Sequence, residues 1–132
     1  MKSLLFIPLV AVALNTEAAT IKVDISEGRL TVFKGPLPVF TTPVQTAANG
    51  IGFKIGSGKT PTGSYTITKD DEHRFGKILR LSGYQGNARG ILVHKHYGSL
   101  NGTSGCICPH TPAAMNRLFK LVKDGDRIII TR

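Results

Sequence analysis

Short alternating stretches, each cut off by glycine or proline, constrain the fold of this chain more than any other feature. Ile21-Lys22-Val23-Asp24-Ile25 alternates apolar and polar side chains, the two-residue period of a strand with one buried face. Ser26-Glu27-Gly28 marks a turn, and Arg29 to Lys34 (RLTVFK) reads as the returning arm of a hairpin. Gly35-Pro36 and Pro38 interrupt that run, after which Val39 to Thr46 is again rich in valine and threonine. Thr60-Pro61-Thr62-Gly63 reads as a tight turn feeding a strand over Ser64 to Lys69. The acidic Asp70-Asp71-Glu72-His73 that follows is expected to be an exposed loop. Lys77 to Leu81 and Gly90 to His94 are further strands, separated by a polar turn over Ser82 to Arg89, and Asp126 to Thr131 (DRIIIT) is a closing strand that adds to the central sheet. One helix is expected, late in the chain. Thr111 caps it, Pro112 suits its first turn, and Met115, Leu118, Phe119 and Val122 recur at helical spacing before Gly125 ends it. The chain is therefore read as mainly β, a β-rich α+β domain with a single late helix.

At 132 residues and 41% hydrophobic content, there is room for one domain with a modest core. Residues 1–19 carry Lys2, an apolar run from Leu4 to Leu14 and small residues at Ala18 and Ala19, the order of a secretory signal peptide. The expected division is a leader over 1–19 and one domain over 20–132, with no membrane-spanning segment in the mature chain. The formal net charge is +9. Losing the leader removes Lys2 and Glu17 together, so the balance persists and favours an anionic partner. The basic residues are scattered and not gathered with aromatics into a nucleic-acid module, so no nucleic-acid partner is expected. A phosphate cradle is also disfavoured. Gly56-Ser57-Gly58-Lys59-Thr60 contains a GKT, but the earlier glycine is replaced by Phe53 and Pro61 stands where a helix should begin.

Chemistry concentrates between Val93 and His110, VHKHYGSLNGTSGCICPH, which holds three of the four histidines and both cysteines. A thiol attacks an acyl carbon as thiolate and needs a base within hydrogen-bond reach. Cys106 is the expected nucleophile, and His94, at the end of an apolar run, the expected base. His96 is the alternative, since the two histidines share a strand face with Lys95 opposite. Backbone N–H groups around Ser104, Gly105 and Cys106 are the candidate oxyanion hole. Cys106 and Cys108 stand one residue apart, too close for an unstrained structural disulfide. Two rival classes use the same residues. His94, His96, Cys106, Cys108 and His110 are all competent metal ligands, although their spacings match no common zinc module. A non-catalytic wall-binding module would keep Cys106 as a small buried hydrophobe.

Taken in order, IKVDISEGRLTVF, TPTGSYTI, ILVH, TSGCI, a helix and a final strand resemble the L,D-transpeptidase catalytic domain, the YkuD family. The resemblance implies a β-sandwich or barrel with one late helix and no cofactor or metal. It also implies a cysteine acyltransferase that forms a thioester with the third residue of a peptidoglycan stem peptide. Transfer to an amine would be transpeptidation, and transfer to water would be L,D-carboxypeptidase activity. By position Cys106 matches the nucleophile, His94 the base, and Ser104-Gly105-Cys106 the oxyanion hole. Thr103, Arg80 and Arg89 are candidate substrate contacts, the arginines toward stem-peptide carboxylates. The site departs from the family pattern in three ways: Ser104 stands where a histidine is usual, Cys108 where arginine or asparagine is common, and the separation from His94 to Cys106 is short. Shortened sites of this kind are similar to those of a divergent branch that includes secreted antibacterial effectors. The expected location is the periplasm or the exterior of the cell.

Overall fold

The protein is represented by a computed structural model that describes residues 18–48, 50–52, 59–82, 91–95, 102–103 and 105–132. Of the expected leader, only Ala18 and Ala19 fall within that set, and Ala19 already belongs to the first strand. Among the described residues the strands are β1 (Ala19–Asp24), β2 (Arg29–Lys34), β3 (Leu37–Gln45), β4 (Gly63–His73), β5 (Gly76–Ser82), β6 (Leu92–Val93), β7 (Cys108–Pro109) and β8 (Arg127–Thr131), with one helix, α1 (Pro112–Leu121). They form a single sheet in the order β6-β5-β4-β8-β1-β2-β3-β7. A parallel bridge between Val93 and Ile107 joins its two ends. The result is a nearly closed barrel with one helix, in keeping with the β-rich expectation.

The alternation read from the sequence is what fills this barrel. Ile21 and Val23 of β1, Leu30 and Val32 of β2, Ile67 of β4, and Ile128 and Ile130 of β8 point inward and are almost fully buried. Each such side chain contributes roughly 1.5–3 kcal/mol of burial. The closing strand β8 lies at the centre, antiparallel to β4 and parallel to β1. The first hairpin turns where expected. Asp24 accepts from the Ser26 hydroxyl at 2.6 Å and the Glu27 N–H at 3.1 Å, and Gly28 takes φ 60, a conformation that costs glycine little.

Four local readings change. β3 runs straight through Pro38, the expected interruption, and Pro43 lies within it as the β-leaning stretch implied. It is hydrogen-bonded to β2 along its length but to β7 only at Val44 and Gln45, so its free edge tolerates residues that cannot donate. A register shift between Val32 and Phe33 accommodates the Pro38 end. The acidic stretch is no loop: Asp70 to His73 end β4, with Asp70 opposite Ile78 and His73 opposite Gly76 across a bulge. β6 is shorter than Gly90 to His94, and residues 83–90 lie outside the described set. The helix starts as expected, Thr111 accepting from the Ala114 N–H at 3.1 Å, but stops at Leu121 with Val122 already extended. Gly125, at φ 90, instead shapes the turn into β8, where its N–H bonds to the Ile67 carbonyl at 2.9 Å. Met115 and Leu118 carry the helix into the core.

Candidate active site

The site forms on the seam that joins the ends of the sheet. The Ile107 N–H donates to the Leu92 carbonyl at 3.0 Å, and the His94 N–H to the Ile107 carbonyl at 3.2 Å. This parallel pairing sets Cys106 beside Leu92 and Cys108 beside His94. Val93 and Ile107 are wholly buried in the core. Strand alternation therefore turns Cys106, Cys108 and His94 to the other face, with Cys106 diagonal to His94 across the pair.

The approach to Cys106 is held by two threonines. Buried Thr60 is the first residue of the Thr-Pro-Thr-Gly motif, which forms no turn but leads from a bridge at Thr60 into β4. Thr60 donates its hydroxyl to the Gly105 carbonyl at 2.9 Å and accepts from the Ala47 N–H at 2.9 Å. Thr103 donates to the Cys106 carbonyl at 2.5 Å, and its oxygen accepts from the Gly105 N–H at 3.2 Å. Gly105 sits at φ 117, where a Cβ would lie 3.0 Å from the Lys59 carbonyl oxygen and from Ile91 Cδ1. Only glycine fits there without strain. The Thr-Pro-Thr-Gly motif thus holds the peptide preceding Cys106. Thr103, expected to touch substrate, has its hydroxyl engaged in shaping that same stretch. The Gly105 N–H, one of the expected oxyanion donors, is directed to Thr103.

His94 is a buried, oriented imidazole. Its Nδ1 lies 2.7 Å from the Lys95 carbonyl oxygen. A carbonyl can only accept, so Nδ1 carries a proton, and in the neutral ring Nε2 then holds the lone pair, the tautomer a general base needs. The Phe75 ring, from the β4–β5 turn, stacks on the imidazole with centroids 4.6 Å apart and planes 28° apart. Phe75 is itself pinned, its N–H donating to His73 Nδ1 at 3.1 Å, with the Arg74 guanidinium 4.9 Å from its ring centroid. Cys108 Sγ lies 3.6 Å from His94 Nε2 and 3.8 Å from Nδ1. A sulfur in line with the Nε2 lone pair would be much farther from Nδ1, so this is packing against the imidazole more than a directed hydrogen bond.

Both cysteines are free thiols. Burial pushes the Cys106 thiol up from its ordinary value, partly offset by a backbone hydrogen bond from Leu92. Burial and the neighbouring Cys106 push Cys108 up to about 12, against a backbone hydrogen bond from His94. At neutral pH both rest as thiols, and attack requires a base to take the proton. Cys106, partly buried beside Gly105, is the more accessible of the two, whereas Cys108 is buried.

The remaining expected residues fall as follows. Arg80 pairs with Leu92 across β5 and β6, is about half exposed, and is bound to Asp70 at 3.1 Å. Arg89, His96 and Ser104 lie outside the described residues. Gln45 Nε2 donates to His110 Nε2 at 2.9 Å at the end of β3. Among the described residues no three of His, Cys, Asp or Glu converge as a metal site. Sequence reasoning missed Phe75 and the tethering role of Thr60. The Thr-Pro-Thr-Gly motif marked Thr60, but nothing local marked a phenylalanine in a hairpin turn as a partner of a histidine nineteen positions on.

The model of the L,D-transpeptidase catalytic domain (YkuD) matches residues 18–130. No curated protein sequence matches this chain. Among solved structures, an L,D-transpeptidase (Yku) from Stackebrandtia nassauensis superposes with a TM-score of 0.69 at 18% identity, over 89% of this chain and 57% of that one. L,D-transpeptidase 1 from Mycobacterium tuberculosis gives 0.63 at 20% identity, over 88% and 62%. The helical cell shape determining protein Pgp2 from Campylobacter jejuni gives 0.68 at 16% identity, over 87% and 48%. The chain thus spans less than two thirds of the length of these similar structures.

Proposed function

Because the chain belongs to the L,D-transpeptidase catalytic domain family, we propose that it is an exported cysteine acyltransferase acting on peptidoglycan stem peptides. Residues 1–19 are its leader, residues 20–132 its catalytic domain, and the periplasm or cell exterior its place of work. The observation that carries the reading is the His94 Nδ1 to Lys95 carbonyl bond at 2.7 Å. It presents a basic Nε2 on the seam that also carries the Gly105-Cys106 turn.

The chemistry runs in two halves. His94 Nε2 takes the Cys106 proton as sulfur adds to the carbonyl carbon of the third residue, giving a tetrahedral oxyanion. Collapse breaks the C–N bond, and the departing amine of the terminal D-residue takes the proton from His94. A thioester on Cys106 remains. An acceptor amine or water then attacks, giving its proton to His94, and the thiol leaves reprotonated. No metal or cofactor enters. The carboxylate-rich wall suits a chain of net charge +9.

Mass spectrometry of purified muropeptides after incubation with the protein tests this. Dimers linked through third residues identify the transpeptidase, and loss of the terminal D-residue without dimers identifies the carboxypeptidase. Unchanged muropeptides from a folded protein contradict both.

A further inference from the structure

A cleft of about 210 Å³ opens between the β4–β5 turn, the residue after the base, and α1, with Phe75, Lys77, Lys95, Pro112, Met115 and Asn116 on its walls. We propose that this cleft is a carboxylate subsite, in which Lys77, Lys95 and Asn116 receive a free carboxylate of the stem peptide while its scissile carbonyl lies at Cys106. The proposal rests on the reading of Cys106 and His94 given above and names what holds the substrate there.

Three features support it. The first is position. Phe75 both lines the cleft and stacks on His94 at 4.6 Å, and the Lys95 carbonyl fixes the same imidazole at 2.7 Å. A group seated in the cleft is therefore one side chain away from the base. The second is charge: Lys77, Lys95 and Asn116 line the cleft, and none of the described residues lining it is a carboxylate. Lys77 Nζ lies 5.9 Å from the ring centroid of Phe119, one helical turn beyond Asn116, which puts it on the helix side of the opening. The third is the engagement of the other described candidate. Arg80, the described arginine expected for this role, already serves Asp70 at 3.1 Å on an exposed face. The apolar part of the wall, Phe75, Pro112 and Met115, suits the aliphatic carbons that carry such a carboxylate. In a stem peptide the terminal carboxylate is three bonds from the attacked carbonyl carbon, and a diamino diacid at the third residue offers a second one on its side chain. Both are close enough to the scissile bond to be candidates, and the experiment separates them.

Binding is measured by calorimetry on the full chain carrying Cys106→Ala, so that affinity is read without turnover. The ligands are a synthetic tetrapeptide stem with both carboxylates free, and two versions amidated at the terminal or at the side-chain carboxylate. Lys77→Gln with Lys95→Gln should weaken the free-acid peptide about tenfold. The same pair should leave unchanged the one peptide whose occupying carboxylate has been amidated, and that peptide identifies the occupant. An unchanged affinity for the free acid overturns the subsite, as does an equal loss for all three peptides, which would reflect diffuse charge. Lysine-dependent binding by a chain that never turns the peptide over would keep the subsite and overturn the acyl transfer. Turnover with lysine-independent binding would do the reverse.

Discussion

The wall of β4, β8, β1 and β2 and the seam where β6 meets residues 106–108 use the same pleated geometry for opposite purposes. In the wall, long registers bring Ile21, Val23, Leu30, Ile128 and Ile130 together with almost no exposure. In the seam the strands are two residues long and a single bridge closes the sheet. The face there opposite Val93 and Ile107 carries an imidazole and two sulfurs beside Leu92, with His94 and Cys108 buried and Cys106 partly so. Burying such groups contributes little stability and raises their sensitivity to protonation. The wall can therefore support a closure that the seam could not maintain by itself, and the closure brings chemistry-bearing residues from segments twelve positions apart into one register.

If that division holds, substitutions in the two regions should separate activity from stability. Cys106→Ala should lower muropeptide turnover by about a thousandfold or more, equivalent to about 4 kcal/mol of barrier, while the thermal midpoint moves by only a degree or two. Ile128→Ala in the wall should cost about 2–5 kcal/mol of folding free energy in urea titrations. The surviving folded fraction should keep near-normal turnover. An Ile128→Ala protein as stable as the parent would remove the basis of the comparison.

A finer test concerns the contact that ties the seam to the hairpin. Phe75→Leu leaves an apolar side chain but no ring to stack on His94, and about a tenfold fall in kcat is expected. Phe75→Tyr keeps the ring and should keep most of the rate. If both variants lose activity equally, the stack does not orient the base.

The smallest effect is alkaline. Folding holds protons on Cys108, raised from 9.0 to about 12, and on Cys106, raised in the same direction. The unfolded chain releases those protons sooner, so the stability they contribute is complete below pH 9 and declines as pH rises toward 12. Urea midpoints should therefore fall between pH 9 and 11 more steeply in the parent than in Cys106→Ala/Cys108→Ala. Equal slopes would mean that the thiols do not couple to folding.

Much of the wall was legible because its information is local. The alternation of Ile21 to Ile25, the RLTVFK return and the DRIIIT run each state their own burial, and Thr111-Pro112 states where the helix begins. The misread places are those decided by neighbours. Pro38 looked like a break, but among the described residues β3 pairs along its second edge only at Val44 and Gln45. Asp70 to His73 looked like a loop, but Ile78 and Gly76 pair with it. At the site, sequence order was enough to mark His94, Gly105 and Cys106. It could not reveal that Thr60 reaches across 45 residues to the Gly105 carbonyl, or that Phe75 stacks on His94. Those contacts exist only once the barrel closes.

Site-resolved acylation tests the central claim most directly. The intact protein is incubated with a carbapenem acyl donor, digested, and the modified peptide sequenced by mass spectrometry, alongside His94→Ala and Cys108→Ser. The account predicts one acyl group on Cys106, formed at least a hundredfold more slowly in His94→Ala and retained in Cys108→Ser. An adduct on Cys108, or a Cys106 adduct that forms as fast without His94, would contradict it.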